Sequence, residues 1–330
     1  MRLRCNQIHE ELKNFGKIRR MIDLSILIVS WNVADLLATC IETILAGQGD
    51  LSLEIIVVAS ASGDQTAVLL RERFPQVIVL AQSENVGYTR GNNIALAAAR
   101  GRYLFLLNPD TEIIGDALPV MIRYMDAHPD VGIVGAHTFN SDRVSTQSTR
   151  RHFPTPALAF FESTLLQPHA PKSMLDRYYV NDGAPEATTR EVDWVQGSAL
   201  LARREVYTQI GGLDEGYVMY SEELDWCKRA KDASWRVVYL GDAHIVHHGG
   251  ASTAQVIARS HIYFQQSKIR YFRKHHGALI AAVLRVFLLL NYAFQLTEES
   301  IKFALGHKRD LRRGRIQAYT QVLRSGLKGT

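Results

Sequence analysis

Acidic and imidazole side chains stand at three separated places in this chain where they could work together. The first is Tyr103 to Thr111, YLFLLNPDT, an apolar run suited to a strand buried on both faces that stops at Asn108-Pro109-Asp110-Thr111. Proline ends a ladder, and ligands of open α/β sheets collect beyond the carboxyl ends of strands, so Asp110 is placed to meet a ligand or metal ion, or simply to shape a turn. The second is Ser221 to Arg229, SEELDWCKR, where Glu222, Glu223 and Asp225 put three acids in four positions. That cluster suits the start of a helix, and equally a general base held beside like charge. The third is Ala243 to Ser252, AHIVHHGGAS, with His247 and His248. A lone histidine there is commonly structural, but beside an acid at a strand end it would make a hard-cation site. A fourth stretch, Gln82 to Asn93 (QSENVGYTRGNN), offers Gly87 and Gly91 for close backbone approach, Arg90 as a phosphate fork, and the amides of Asn92 and Asn93. It has neither Walker nor GxGxxG spacing, so by itself it could equally be a strand-to-helix connection.

The elements that must position these groups follow from hydrophobic periodicity. Strands are expected at Leu24 to Ser30, Glu54 to Ala59, Val77 to Leu80 and Tyr103 to Leu107, with helical patterns between them at about Ala34 to Leu45, up to Arg73, and from Ile94 to Ala99. Four strands alternating with helices within about ninety residues indicate βαβ units and a mainly parallel sheet, giving an α/β fold. Further strands are expected at Val131 to Gly135 and Arg236 to Leu240. Arg143 to Arg190 is polar, carries several prolines and reads as a long surface or acceptor-side segment.

Charge divides the chain. From Gln266 onward there are 13 Lys/Arg against 3 Asp/Glu, a net of +10, whereas the preceding 265 residues carry 25 basic and 30 acidic groups, a net of −5. The basic tail surrounds an apolar block, Ala278 to Leu296, long enough to approach a membrane span but interrupted by Arg285, Asn291 and Gln295. A central arginine costs roughly 2.5–3.5 kcal/mol on insertion scales, which favours a helix lying on an anionic membrane surface over one crossing it. A helical pair packed on the main domain is the other reading. Basic groups flanking an apolar block, rather than an aromatic-studded groove, argue against nucleic acid. The three cysteines, Cys5, Cys40 and Cys227, match no disulfide or zinc spacing, and Met1 to Arg20 has no apolar core; a reducing, cytoplasmic setting is expected. The expected organisation is an extension at 1–21, a main domain at 22–260, and a helical tail at 261–330.

Taken in order, SILIVSWN from Ser25, NVGYTRGNN, LLNPDT, DWVQGSALLARR, GGLDEGYVMYSEELDWCKR and HIVHHGGAS resemble the family-2 inverting glycosyltransferases, specifically the bacterial rhamnosyltransferase-like branch, over about residues 23–255. The resemblance implies a GT-A fold: one mainly parallel mixed sheet flanked by helices, here with a C-terminal helical tail. It implies a nucleotide-diphosphate sugar donor, dTDP-rhamnose by branch, and a glycan or polyprenyl-linked acceptor at the inner face of the cytoplasmic membrane. On this likeness Asp110 and His247 hold Mg²⁺ or Mn²⁺, with Asn108 in the first position of the DxD element. Glu223 is the catalytic base, with Glu222 as the alternative. Asn85, Gly87, Arg90 and Asn92 belong to the donor loop, and Trp194, Gly197 and Asp225 to the acceptor side. One position departs from the family. Ala59 stands where an aspartate usually holds the nucleotide, leaving Ser60, Ser62 or Asp64 to replace it. A lost hydrogen bond to a charged partner is worth roughly 1.5–3 kcal/mol, so a sugar-nucleotide or glycan-binding protein without turnover is the alternative function.

Overall fold

In the computed structural model, which describes residues 21–249 and 257–329, the first half alternates strand and helix. The order is β1 (Leu24–Ser30), α1 (Ala34–Ala46), β2 (Leu53–Ser60), α2 (Thr66–Arg73), β3 (Ile78–Gln82), α3 (Tyr88–Ala98), β4 (Tyr103–Leu107), β5 (Thr111–Ile113), α4 (Ala117–Ala127) and β6 (Val131–Phe139). The short elements β7 (Arg150–Arg151), α5 (Pro156–Phe161), α6 (Lys172–Tyr178), β8 (Arg190–Val192) and β9 (Trp194–Val195) follow. Then come β10 (Ala199–Arg203), α7 (Arg204–Ile210), α8 (Glu222–Asp232) and β11 (Arg236–His247). Three helices close the chain: α9 (Ile257–His276), α10 (Ala278–Ala304) and α11 (Arg309–Ser325).

The main sheet runs β3-β2-β1-β4-β10-β6-β11-β5, with β8 also on β11. β1 lies between β2 and β4 in parallel, and every residue of β1 and of β4 is buried, as their unbroken apolar runs require. β10 is inserted antiparallel between β4 and β6, which makes the sheet mixed. One face packs on α1, α2 and α4 through side chains such as Leu37, Ile41, Leu70 and Met121. The other packs on α3, α7, α8 and the tail through Leu96, Val206, Trp226 and Phe272.

Several boundaries differ from expectation for local reasons. The donor-loop stretch is largely helical, because α3 begins at Tyr88, directly after Gly87 turns the chain at φ 74°. Gly91 then lets α3 approach β1 closely: a Cβ there would come within 2.8 Å of Val29. The strand expected to end at Leu240 continues to His247 across an irregularity between Leu240 and His244. The polar segment 143–190 is folded, with Leu158, Ala159 and Tyr178 buried in the core. Residues 1–20 of the expected extension, and 250–256 with the last three residues of AHIVHHGGAS, lie outside the described residues.

The tail is a packed helical group with one open face. Arg285, which argued against a span, turns inward and donates from Nε to the Gly326 carbonyl at 2.7 Å. Asn291 is buried, and its Oδ1 accepts from the Leu165 amide at 3.0 Å. Glu299 receives both Arg312 and Arg315. The outward stripe of α10 is Leu279, Val283, Val286, Leu290, Phe294 and Ile301, with Leu305 just past its end; Leu279 is 77% and Phe294 63% exposed. By length and composition α10 could cross a membrane, but Arg285, Asn291 and Glu299 are committed to the protein side, and Thr297, Glu298 and Ser300 leave its last turns partly polar outside.

Asp225 ties the tail to the sheet domain. Its side chain is fully buried and meets Arg229 Nε at 2.8 Å, Lys274 Nζ at 2.8 Å and His275 Nε2 at 2.8 Å. Burial works against its ionised form, but His275, Lys274 and Arg229 outweigh it and hold its pKa below the usual carboxylate range. A depressed pKa contributes stability that is present above the unfolded value and lost as pH falls through the folded one. Asp225→Asn is expected to lower unfolding free energy at pH 7 by about 3 kcal/mol, the low end for a broken buried ion pair because its partners can reach solvent. The gap from wild type should shrink as pH falls below about 4. Urea unfolding across this pH range measures it, and a loss under about 0.5 kcal/mol at pH 7, the range of an ordinary surface substitution, would contradict the anchoring role.

Candidate active site

The carboxyl ends of β1, β2, β4 and β11 open on one cavity of about 620 Å³, within the usual range for small-molecule sites. Strand register assembles the corner that holds Asp110, His247 and Asn108. β11 pairs antiparallel with β5, placing His247 opposite Thr111 and so beside Asp110, whose carbonyl accepts from the His248 amide at 2.9 Å. His247 Nε2 lies 3.4 Å from Asp110 Oδ1 and 3.2 Å from Asn108 Nδ2. Both ring and carboxylate are nearly buried.

Gln147 fixes the imidazole from behind. Its Oε1 is 2.9 Å from His247 Nδ1, and its Nε2 donates to the His247 carbonyl at 2.8 Å. When Nδ1 carries the proton, donated to Gln147, and Nε2 carries none, the Nε2 lone pair can ligate a cation; when Nε2 is protonated it donates to Asp110 instead. Asn108 Oδ1 is buried without a hydrogen-bond partner among the described residues. Burial disfavours the Asp110 carboxylate, but the hydrogen bond and charge of His247 outweigh it and lower its pKa. One carboxylate, one oriented imidazole and an orphaned amide oxygen fit a divalent cation that takes its other ligands from a substrate's oxygens. Among the described residues no cluster of three or more His, Cys, Asp or Glu side chains is arranged to hold a metal, so the corner is open-sided.

Opposite it stand Glu222 and Glu223 at the start of α8. The chain enters this helix through Tyr220 and Ser221, both left-handed at φ 70° and 63°. Non-glycine residues there cost on the order of 1–3 kcal/mol each, and such strain is retained where geometry is functional. Both glutamates line the cavity, and Oε2 of each lacks a hydrogen-bond partner among the described residues. Burial pushes both carboxyls above the usual range, and for Glu222 the charge of Glu223 adds to it. Gly197 backs the pair. A Cβ on it would sit 3.3 Å from the Glu223 Cβ, its carbonyl accepts from Tyr88 Oη at 2.9 Å, and its backbone opposes the rise at Glu223.

A further wall of the cavity is built from β2 and the turn before α3. Ser60 Oγ accepts from the Val86 amide at 2.9 Å and donates to Asn85 Oδ1 at 3.2 Å, while Asn85 Oδ1 also accepts from the Gly87 amide at 2.9 Å. Ala59 is buried beside this clip and presents no polar side chain.

Of the residues singled out in the sequence, Asn85, Gly87, Asn108, Asp110, Gly197, Glu222, Glu223 and His247 meet at this cavity. Five do not. Asp64 bonds the Ala34 amide at 2.9 Å and Thr66, joining the starts of α1 and α2. Arg90 faces solvent beside Glu84 at 3.4 Å. Asn92 is buried and donates back to the Tyr88 carbonyl at 3.0 Å within α3. Trp194 is buried in the core, its indole donating to the His152 carbonyl at 3.0 Å. Asp225 lies on the far side of α8, in the ion cluster that anchors the tail. The helical start at Tyr88 explains Arg90 and Asn92, since a loop would have left them free to turn inward. Gln147, Arg259 and Tyr263 also line the cavity and carried no sequence signal, the first in a polar segment and the others on a tail helix. Tyr88 was visible within NVGYTRGNN, without an assigned role.

The pattern of glycosyl transferase family 2 matches residues 25–194. The N-acetylglucosaminyl-diphospho-decaprenol L-rhamnosyltransferase of Mycobacterium tuberculosis is 25% identical over 244 residues, covering 71% of this chain and 78% of that one. Rhamnosyltransferase WbbL of Escherichia coli is 26% identical over 196 residues, covering 57% and 70%. Among solved structures, the mannosyltransferase PcManGT from Pyrobaculum calidifontis, in complex with GDP-Man and Mn²⁺, superposes with a TM-score of 0.51 over 92% of this chain and 86% of that one at 16% identity, a likeness of the GT-A fold. The pattern covers more than half of the chain and its relatives transfer sugars: this protein is a glycosyltransferase and belongs to glycosyl transferase family 2.

Proposed function

We propose that this enzyme transfers a sugar, with rhamnose the first to try, from a nucleotide-diphosphate donor to a glycan built on a polyprenyl carrier, inverting the anomeric centre. The observation that carries the reading is the convergence of Asp110, His247 and the Glu222–Glu223 pair on one cavity. In this account Glu223 accepts the proton of an acceptor hydroxyl as its oxygen bonds to the anomeric carbon and the bond to the donor diphosphate breaks. Burial keeps that base from ionising too readily, and Gly197 backs its stem. Asp110 and His247 would hold Mg²⁺ or Mn²⁺, whose chemistry is to offset charge on the departing diphosphate. The Mn²⁺ of the mannosyltransferase complex supports that choice of ion class. Ser60 and Asn85, clipped together, take the place of the aspartate absent at position 59. Arg90, Asn92, Asp64, Trp194 and Asp225 serve as support.

The second reading, a sugar-nucleotide or glycan binder without turnover, rests on Ala59. Turnover of dTDP-rhamnose and a panel of other donors with Mn²⁺ separates the two. Asp110→Ala and Glu223→Gln are each expected to lower kcat about 10²–10⁴-fold with the fold intact, and Glu222→Gln less. A wild type that binds nucleotide but turns over no donor would establish the binder. Full activity in Glu223→Gln would remove the base assignment.

The acceptor class places the enzyme at the inner face of the cytoplasmic membrane, with the outward stripe of α10 in the lipid interface. Seven exposed apolar side chains offer several kcal/mol of burial at about 1.5–3 kcal/mol for each fully buried, and the exposed Lys308, Arg309 and Arg313 suit anionic headgroups. The double substitution Leu290→Glu with Phe294→Glu should abolish co-sedimentation with anionic vesicles. Unchanged sedimentation would rule out this face.

A further inference from the structure

The cavity has one arginine or lysine among its described lining residues, Arg259 in the first turn of α9. Other cations around the site are engaged: Arg90 with Glu84, Arg270 and Lys274 with Asp214, Arg229 with Lys274 and His275 on Asp225, and Arg151, whose charge reaches Glu223, over the rings of Tyr178, Tyr179 and Trp194. Arg259 has no ion-pair partner among the described residues, although Asp110, Glu222 and Glu223 line the same cavity. Whatever negative charge those acids keep must be offset before an anionic substrate binds. A guanidinium presents two parallel donors that match phosphate oxygens, and an exposed one loses little by turning to a ligand.

The position of Arg259 also matters. Two residues further along α9, His261 Nδ1 meets Tyr292 Oη of α10 at 3.3 Å. Leu290 and Phe294, two residues either side of buried Tyr292, lie on the opposite, exposed face of α10. The start of α9 that carries Arg259 to the cavity wall is thus held against the inner face of α10.

We propose that Arg259 is a phosphate-binding residue of this active site, its guanidinium closing on a substrate diphosphate. The inference rests on the sugar-transfer reading. Two substrates carry that group: the donor, whose diphosphate leaves, and an acceptor built on a polyprenyl diphosphate.

Binding of dTDP and UDP against dTMP and UMP, with Mn²⁺ and with EDTA, is measured for full-length wild type, Arg259→Gln and Arg259→Lys. If the donor diphosphate is the ligand, Arg259→Gln weakens the diphosphates about tenfold or more and the monophosphates less than twofold, and Arg259→Lys restores part of the loss. The donor KM then rises with it. If the acceptor diphosphate is the ligand, nucleotide binding is unchanged, while KM rises about tenfold for a polyprenyl-diphosphate sugar and not for the same sugar on a neutral aglycone. Arg259→Gln with wild-type binding and wild-type KM for both substrates would overturn the proposal. Failure of wild type to turn over any donor would sink sugar transfer while leaving the diphosphate-against-monophosphate comparison readable.

Discussion

Two adjacent carboxylates buried at the start of one helix are the constraint on which this structure turns. Glu222 is buried and Glu223 is half-buried with its Oε2 shielded, and the charge of Arg151 on Glu223 does not offset burial, so α8 keeps them in a state that favours holding a proton. Such an arrangement is costly, and the chain shows where it is stabilised. The third acid of the same helix, Asp225, is paired with three basic groups from α8 and α9, which pins the helix from behind. Tyr220 and Ser221 hold left-handed backbone in front of it. The tail thus reaches the chemistry through α9, which both grips Asp225 and contributes Arg259 to the cavity wall.

The corner of Asp110 and His247 depends on a different device, strand register. Asp110 sits just past β4, while His247 arrives more than a hundred residues later at the end of β11. Pairing of β11 with β5 sets them side by side. A slip of one residue would turn His247 to the opposite face of the sheet. Gln147, from a segment with no periodicity of its own, then orients the ring.

Much of this was legible because it is local. The apolar runs of β1, β2 and β4 announced buried parallel strands, and the acids at Asp110 and Glu222–Glu223 stood at element ends where side chains converge. Groups whose partners are distant in sequence were not legible. Asp225 looked like a companion of the two glutamates, yet three residues along a helix from Glu222 it meets Arg229, Lys274 and His275 instead. Arg90 looked like a phosphate fork, but Gly87 starts α3 early and carries it to the solvent side. Arg285 breaks the apolar run in sequence, but it points to Gly326 and leaves the outer face of α10 apolar from Leu279 to Phe294. In each case a tertiary contact, invisible to spacing, chose the direction of the side chain.

The claim at the centre is that Glu223 is a base whose proton affinity is raised by burial beside Glu222. The pH dependence of kcat/KM in wild type and Glu222→Gln tests it most directly. A raised base must lose its proton before it can act, so the acid limb should lie above the ordinary glutamate value of about 4.3. Because burial is what raises Glu223, the limb should stay raised in Glu222→Gln. An acid limb at the ordinary glutamate value in either protein would contradict the account.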